Sequence, residues 1–367
     1  MRKIFQTILL LLLPIVTFAN DGTFTINGNQ LIPITETDIS IKKEILTINR
    51  ISNTDKVDVI VYYEFYNPGE SKKLLVGFEA DFPSGDVDID DITPKAHPYM
   101  SNFTVDINNK LLPYKIACVN DSLYYKNGQM MAITSFETDV YYESGIKYVY
   151  YFEADFKSGL NIVKHTYTCE LSSFVMADYT FNYVLTAANR WANKQIDDFT
   201  LYINMGNNYL IDIEATFFKN TDDWTILGIG KKRDNINPYT EDEEGNFSEF
   251  YIKNGYLMFQ KKNFKPQGEL YFSSPRAYFT HNEFNYKTIK YLPAKIFFNY
   301  ERITIADDMS KRILKNLPFA HKGYIFKTTE LQEYFEKQIW YFPNPDTKGD
   351  ISEYGADERS WIEYFSN

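Results

Sequence analysis

The chain is poor in the residue types that metal and nucleophile chemistry need. Its 367 residues include two cysteines, Cys118 and Cys169, and four histidines, His97, His165, His281 and His321, which stand far apart. No Cys/His ligand spacing and no H-E-x-x-H run occurs, so no metal ligand and no cofactor is expected. A G-x-S-x-G elbow and a Cys/His catalytic signature are missing too, and no catalytic residue is assigned. "LGIGKK" at Leu227 lacks the third glycine and the following Ser or Thr of a phosphate loop, and reads as a hairpin turn. Basic clusters are also scarce. With 38 Lys and Arg against 49 Asp and Glu, the formal net charge is −11, and "KKR" at Lys231 is soon followed by "EDEE". Phosphate backbones attract clustered Lys and Arg, so nucleic acid is not expected as a partner. Past residue 19 no apolar run approaches the roughly 20 residues that span a bilayer.

What the first residues do contain is a secretory signal. Arg2 and Lys3 precede an apolar run from Ile8 to Phe18, with Thr17 and Ala19 as small residues before a cut. Residues 1–19 are therefore expected to be removed, leaving an exported chain, periplasmic or extracellular. Export would place Cys118 and Cys169 in an oxidising compartment. A disulfide between them would close a loop of about 51 residues and contribute on the order of 4 kcal/mol. The alternative is two buried, unreacted thiols.

From residue 20 to residue 275 the pattern is strand after strand. "VDVIVYYEFYN", "YTFNYVLT" and "DFTLYINMG" alternate apolar and polar positions, with turn signals such as "NPGE" and "NG" between runs. Thirty Tyr and 29 Phe suit cross-strand packing. The expected fold is mainly β, an antiparallel β-sandwich of two packed sandwich-like subdomains, followed by a small C-terminal α-helical domain. The word "FEADFPSG" at Phe78 returns as "FEADFKSG" at Phe152. Its alternation places Phe78, Ala80 and Phe82 on one face and Glu79 and Asp81 on the other, so all four repeated carboxylates, with Glu153 and Asp155, are expected on the solvated side. A catalytic carboxylate pair is the competing reading. The run "DVDIDD" from Asp86 fails as a calcium loop, because Asp91 and His97 replace the needed Gly and Glu.

Residues 276–304 read as a connector and 305–367 as helical. Met309, Ile313, Leu314 and Leu317 follow helical spacing, with Asp307 or Asp308 as cap and Pro318 as stop. Thr329 and Gln332 suggest a capping box for a second helix whose face is Leu331, Tyr334, Phe335 and Ile339. Tyr354, Trp361, Ile362 and Phe365 align on a third.

This tail resembles the YARHG domain family, small modules of exported bacterial proteins. The naming motif stands here as Phe319, Ala320, His321, Lys322 and Gly323, followed by "YIFK", Leu331, Tyr334, Phe335, Trp340 and Tyr341. Three of the five naming letters differ, so no role of the family's Tyr, Arg or His carries over. "ADFKSGLNIVKHTYT" with "YVLTAANRW" is similar to an exported bacterial domain family of unknown function, through His165, Tyr167, Tyr183 to Thr186 and Trp191. Both resemblances imply an exported location; neither implies an activity.

Four residues stand as ligand-binding candidates: Trp191 and Trp340, near turns where rings stack on sugars or peptides, and His165 and Tyr167. The competing reading places Trp191 over the sandwich core and Trp340 in the helical core. The function expected is a cell-envelope binding or scaffold module for cell-wall glycan, peptide or another envelope protein. An envelope hydrolase or its accessory module is the alternative, and a stability or assembly factor the third reading.

Overall fold

Period-two alternation is what builds the body of this protein. The computed structural model describes residues 30–34, 37–83, 87, 92–120, 124–136, 145–237, 245–275, 279, 281–297 and 300–366. The expected signal peptide, the acidic residues of the run from Asp86 and the segment around Val140 lie outside them. The first strands are β1 (Gln30–Pro33), β2 (Ser40–Arg50), β3 (Lys56–Asn67), β4 (Lys72–Asp81), β5 (Met100–Ile107), β6 (Lys110–Leu111), β7 (Lys115–Asn120), β8 (Tyr125–Lys126) and β9 (Gln129–Met130). There follow β10 (Ile146–Phe156), β11 (Gly159–Glu170), β12 (Ser172–Phe174), β13 (Ala177–Tyr183), β14 (Ile196–Asn204), β15 (Tyr209–Glu214), β16 (Trp224–Ile236), β17 (Phe247–Phe264) and β18 (Leu270–Pro275).

Two sheets result. A four-stranded sheet has the order β1-β4-β10-β7. A twelve-stranded sheet runs β12-β13-β18-β15-β17-β14-β2-β3-β11-β5-β6, with β16 on the other side of β17. Within these two sheets pairing is antiparallel except between β14 and β2. The fold is thus mainly β, as the alternation predicts. Strand β17 divides the long sheet: residues 247–252 pair with β15 and residues 257–264 with β14. The division falls beside Gly255, which faces Gly228 of β16. Gly255 has φ +98, and a Cβ there would sit 2.1 Å from the Leu227 carbonyl oxygen, so only glycine permits this approach.

One hydrophobic core joins the two sheets. Phe78 of the small sheet packs on Phe103, His165 and Tyr167 of the large one at ring distances of 5.3, 5.3 and 5.0 Å. The repeated word now has its explanation. Strands β4 and β10 are antiparallel neighbours, and both turn the same Phe-x-Ala stripe inward, Phe78 with Ala80 and Phe152 with Ala154. The same need, a small residue between two rings on a packed strand, is met twice.

The carboxylates of that word do not share one environment. Glu153 and Asp155 are exposed, but Glu79 is 1% exposed. The outer side of β4 is covered at that point, so Glu79 accepts from Tyr124 Oη at 2.6 Å and Gln30 Nε2 at 2.7 Å, with Lys147 Nζ at 3.2 Å. The expectation of four solvated carboxylates fails at Glu79, because the chain after β7 folds back over it.

The tail forms α1 (Asp308–His321), α2 (Thr329–Glu336) and α3 (Ala356–Tyr364). Asp307 caps α1 by accepting from Ser310 N at 2.8 Å. Pro318 does not stop α1, which continues to His321. The cap of α2 is Thr328 rather than Thr329, and its side chain makes no capping bond. Gln332 instead accepts from Phe326 N at 2.8 Å. The helices share their core with residues before them, Phe279, Phe284, Ile289, Leu292 and Phe297, and with Tyr251 of β17. The short pair β19 (Glu283–Phe284) and β20 (Thr304–Ile305) closes this unit.

Candidate functional site

One broad surface of the fold is the outer face of β16, β17, β14, β2, β3, β11 and β5. Side chains of successive strands stand there in register. One row is Thr225, Met258, Tyr202, Thr47, Ile60, Thr166 and Thr104, each directly opposite the next. A second is Gln260, Thr200, Ile45, Tyr62, Lys164 and Asp106. At about 4.8 Å per strand, the first row spans roughly 29 Å. Ile60 is 41% exposed and Tyr256, next along β17, 38%. Tyr202 and Tyr256 meet edge to face at 5.8 Å, and Thr104 and Thr166 share a hydrogen bond at 2.7 Å. Polar rows border the two central ones. On one side Asp198 pairs with Lys262 at 2.8 Å and Lys43 at 3.9 Å; on the other Thr168 donates to Asp58 at 2.7 Å. The result is a Tyr, Thr and Ile strip with Lys164 and Asp106 in its second row, an ion pair along one border and a threonine–carboxylate hydrogen bond along the other. A part-exposed strip of rings and hydroxyls suits contact with another surface.

The four residues singled out from the sequence lie elsewhere, and all are buried. Trp191 packs on Phe65 at 4.3 Å and donates to the Leu31 carbonyl at 3.4 Å. Trp340 donates to the Leu292 carbonyl at 2.7 Å in the helical core. A surface sugar cannot stack on either ring, so both serve the packing alternative. His165 and Tyr167 are brought together, 6.1 Å apart and nearly parallel, with Tyr63 stacked on the other side of His165 at 5.9 Å. Among the described residues, neither imidazole nitrogen nor the Tyr167 hydroxyl has a hydrogen-bond partner. Burial pushes the His165 imidazole down to about 3, so the ring is neutral.

Cys118 and Cys169 are free thiols, buried on β7 of the small sheet and β11 of the large one. The disulfide reading gives way to the thiol reading. Burial pushes the Cys118 thiol up to about 12 and Cys169 up as well, which leaves both protonated and unreactive.

Sequence reading passed over one further inner group. Glu44 of β2 lies 4% exposed between the hydroxyls of Tyr63 and Tyr183. Burial pushes its carboxyl up to about 8, against the opposing effect of the two tyrosine hydrogen bonds. Its position in "SIKKEILTINR" gave no warning. The local shift of register between Ile41 and Lys43 is what turns Glu44 inward.

In the helical unit the motif residues hold structure. Ala320 is fully buried, and Gly323 has φ +81 with its α-carbon pressed toward the Phe342 carbonyl. His321 meets the Pro293 carbonyl at 3.2 Å and the Trp340 ring at 4.4 Å. Lys322 donates to the Glu353 carbonyl at 2.7 Å and lies over the Tyr354 ring at 3.7 Å. Trp340, Gln338, Tyr334 and His321 together fasten residues 289–293 to the helices.

The whole fold is similar to that of a protein from Legionella pneumophila named for a proposed nutrient-binding role, with TM-score 0.54, 17% identity, and coverage of 94% of this chain and 100% of that one. Part of it overlaps an M1 zinc metallopeptidase from Deinococcus radiodurans, with TM-score 0.26, 7% identity, and 64% of this chain against 42% of that one. Native leukotriene A4 hydrolase from Saccharomyces cerevisiae overlaps with TM-score 0.23, 9% identity, and 65% against 29%. At those scores the two enzymes carry no argument. No curated protein matches the sequence. The family profile for the YARHG domain matches residues 304–367, the stretch that begins in β20 and contains all three helices. The C-terminal part of this chain is therefore a YARHG domain.

Proposed function

We propose that this protein is exported to the bacterial cell envelope and works there as a binding or scaffold module, with the outer face of the long sheet as its contact surface. The observation that carries the reading is the register-aligned strip of Tyr202, Tyr256, Tyr62, Ile60 and their threonines, part-exposed and bordered on one side by the Asp198–Lys262 pair. Export is supported by Arg2 and Lys3 ahead of the apolar run and by the YARHG domain at residues 304–367. The full-length fold neighbour is named for nutrient binding, which agrees with capture rather than turnover. Cell-wall glycan, peptide and another envelope protein are the ligand classes that a strip of rings and hydroxyls serves.

Retention of the purified chain on isolated cell wall and on immobilised envelope extract tests this, with Tyr62→Ala/Tyr202→Ala beside the wild type. Wild-type retention on either material, reduced at least about tenfold in the double variant, supports the strip. Equal retention of both proteins removes the strip from the site. No retention of the wild type on either material removes the binding reading.

A further inference from the structure

A second polar row crosses the sheet on the side that carries the helical unit. Arg233 of β16 faces Glu249 of β17, Glu249 faces Asp212 of β15, and Asp212 faces Ser273 of β18. Asp212 and Ser273 are 1% exposed and Glu249 6%. Arg233 Nη2 approaches Glu249 Oε2 at 2.6 Å. Among the described residues, both Asp212 oxygens and Ser273 Oγ have no hydrogen-bond partner. Two carboxyl groups thus stand directly opposite each other, about 5 Å apart at the backbone, with one guanidinium beside them. If both were ionised the row would bury one net negative charge, which costs far more than holding one proton.

The helical unit sits on this row. Leu210 and Tyr251, two residues along from Asp212 and Glu249, pack into the helical core. The Tyr291 ring covers the Arg233 guanidinium at 3.7 Å. Lys231, two residues before Arg233, donates to the Tyr341 carbonyl at 2.7 Å and approaches the Gln338 carbonyl at 3.3 Å. The charged group beside the pair is Arg233 of β16, whose guanidinium lies against the Tyr291 ring from the segment before the helices. Strand β18 presents the neutral Ser273.

We infer that Asp212 and Glu249 hold one proton between them and form a pH-sensitive latch that keeps the YARHG domain seated on the sheet. The pair keeps one proton, and its remaining charge is met by Arg233 beside Glu249. Release of that proton to water leaves two facing carboxylates beside a single guanidinium and loosens the seat. Desolvation, and then the Glu249 charge, raise Asp212 above the ordinary carboxylate range, outweighing Arg233. The latch is therefore closed at acidic pH and opens as pH rises through that elevated value.

Amide hydrogen exchange of the whole chain from about pH 5 to about pH 9, expressed as protection factors, tests the latch. Protection in α1 and α3 is expected to fall at least about tenfold relative to β2 and β3, and this relative fall is expected to vanish in Asp212→Asn, which keeps the shape of the protonated acid. Parallel profiles for wild type and variant, or an equal change in helices and strands, would overturn it. Infrared spectra give a second reading that does not depend on the stability of Asp212→Asn. In Glu44→Gln/Asp81→Asn, which removes the raised carboxyls outside the pair among the described residues, a protonated-acid band must persist at neutral pH; its absence would also overturn the latch.

Discussion

The indole Nε1 of Trp361 in α3 donates a 2.6 Å hydrogen bond to the main-chain carbonyl of Leu314 in α1. That carbonyl would ordinarily accept from the amide of residue 318, which is Pro318 and has none. The helix thus runs through its proline because a side chain from another helix satisfies the group that proline frees.

Trp361→Phe keeps most of the ring but leaves the Leu314 carbonyl buried and unmet, so a loss of about 1–3 kcal/mol is expected in urea unfolding. In a Pro318→Ala background the new amide can reach the same carbonyl. The cost of Trp361→Phe should then shrink, and a double-mutant cycle reads the difference. Additive costs would mean that the indole bond does not replace the missing amide.

Glu44 gives the body of the protein a dependence on pH. Its folded carboxyl titrates at about 8, above the ordinary value, so its contribution is fully present below about pH 4.5 and lost as pH rises toward about 8. Glu44→Gln should remove that fall, which is on the order of a few kcal/mol, and unfolding midpoints measured across the window show it.

His165 acts with the opposite sign. Its folded imidazole titrates at about 3, below the ordinary 6.5, so the stability it leaves intact above about pH 6.5 is lost as pH falls toward about 3. Because neither ring nitrogen is bonded among the described residues, His165→Phe should be neutral or stabilising by about 1–2 kcal/mol at neutral pH and should remove its share of the acid limb, which His97 and His321 also shape. A destabilised His165→Phe protein would show that the nitrogens are in use.

At the division of the long sheet, Gly255→Ala sets a Cβ against the Leu227 carbonyl at a residue with φ +98. A loss of about 2 kcal/mol or more is expected in thermal or urea unfolding. A change within about 0.5 kcal/mol would show that the β16 and β17 pair has room to open there.

Cys118 and Cys169 should titrate as two thiols per chain with a disulfide reagent after unfolding, and react slowly while folded. Protein purified from an oxidising compartment that yields no thiols after unfolding would contradict this pairing-free arrangement.

Strand existence, helix existence and the YARHG domain were legible in the residues themselves. Alternation is local, and apolar spacings such as Ile313, Leu314 and Leu317 report a buried face without knowledge of what buries it. Which polar groups face inward was not legible. Glu79 and Glu153 occupy the same place in the same word, yet one is enclosed by Tyr124 and Gln30 and the other stands in water. Pro318 reads as a stop until Trp361 is placed beside it. The two tryptophans chosen for exposure, Trp191 and Trp340, proved to be the rings that cores most readily absorb.

The sequence alone determined the mainly β body, the helical tail and the rarity of reactive side chains, because these depend on neighbours along the chain. The tertiary structure alone decided that Glu44, Glu79 and Asp212 leave water and that Cys118 and Cys169 sit on different sheets. It also aligned Tyr202, Thr47 and Ile60 across three strands. The physical reason is that burial and register are set by partners far away in sequence, brought opposite one another only when the strands pair.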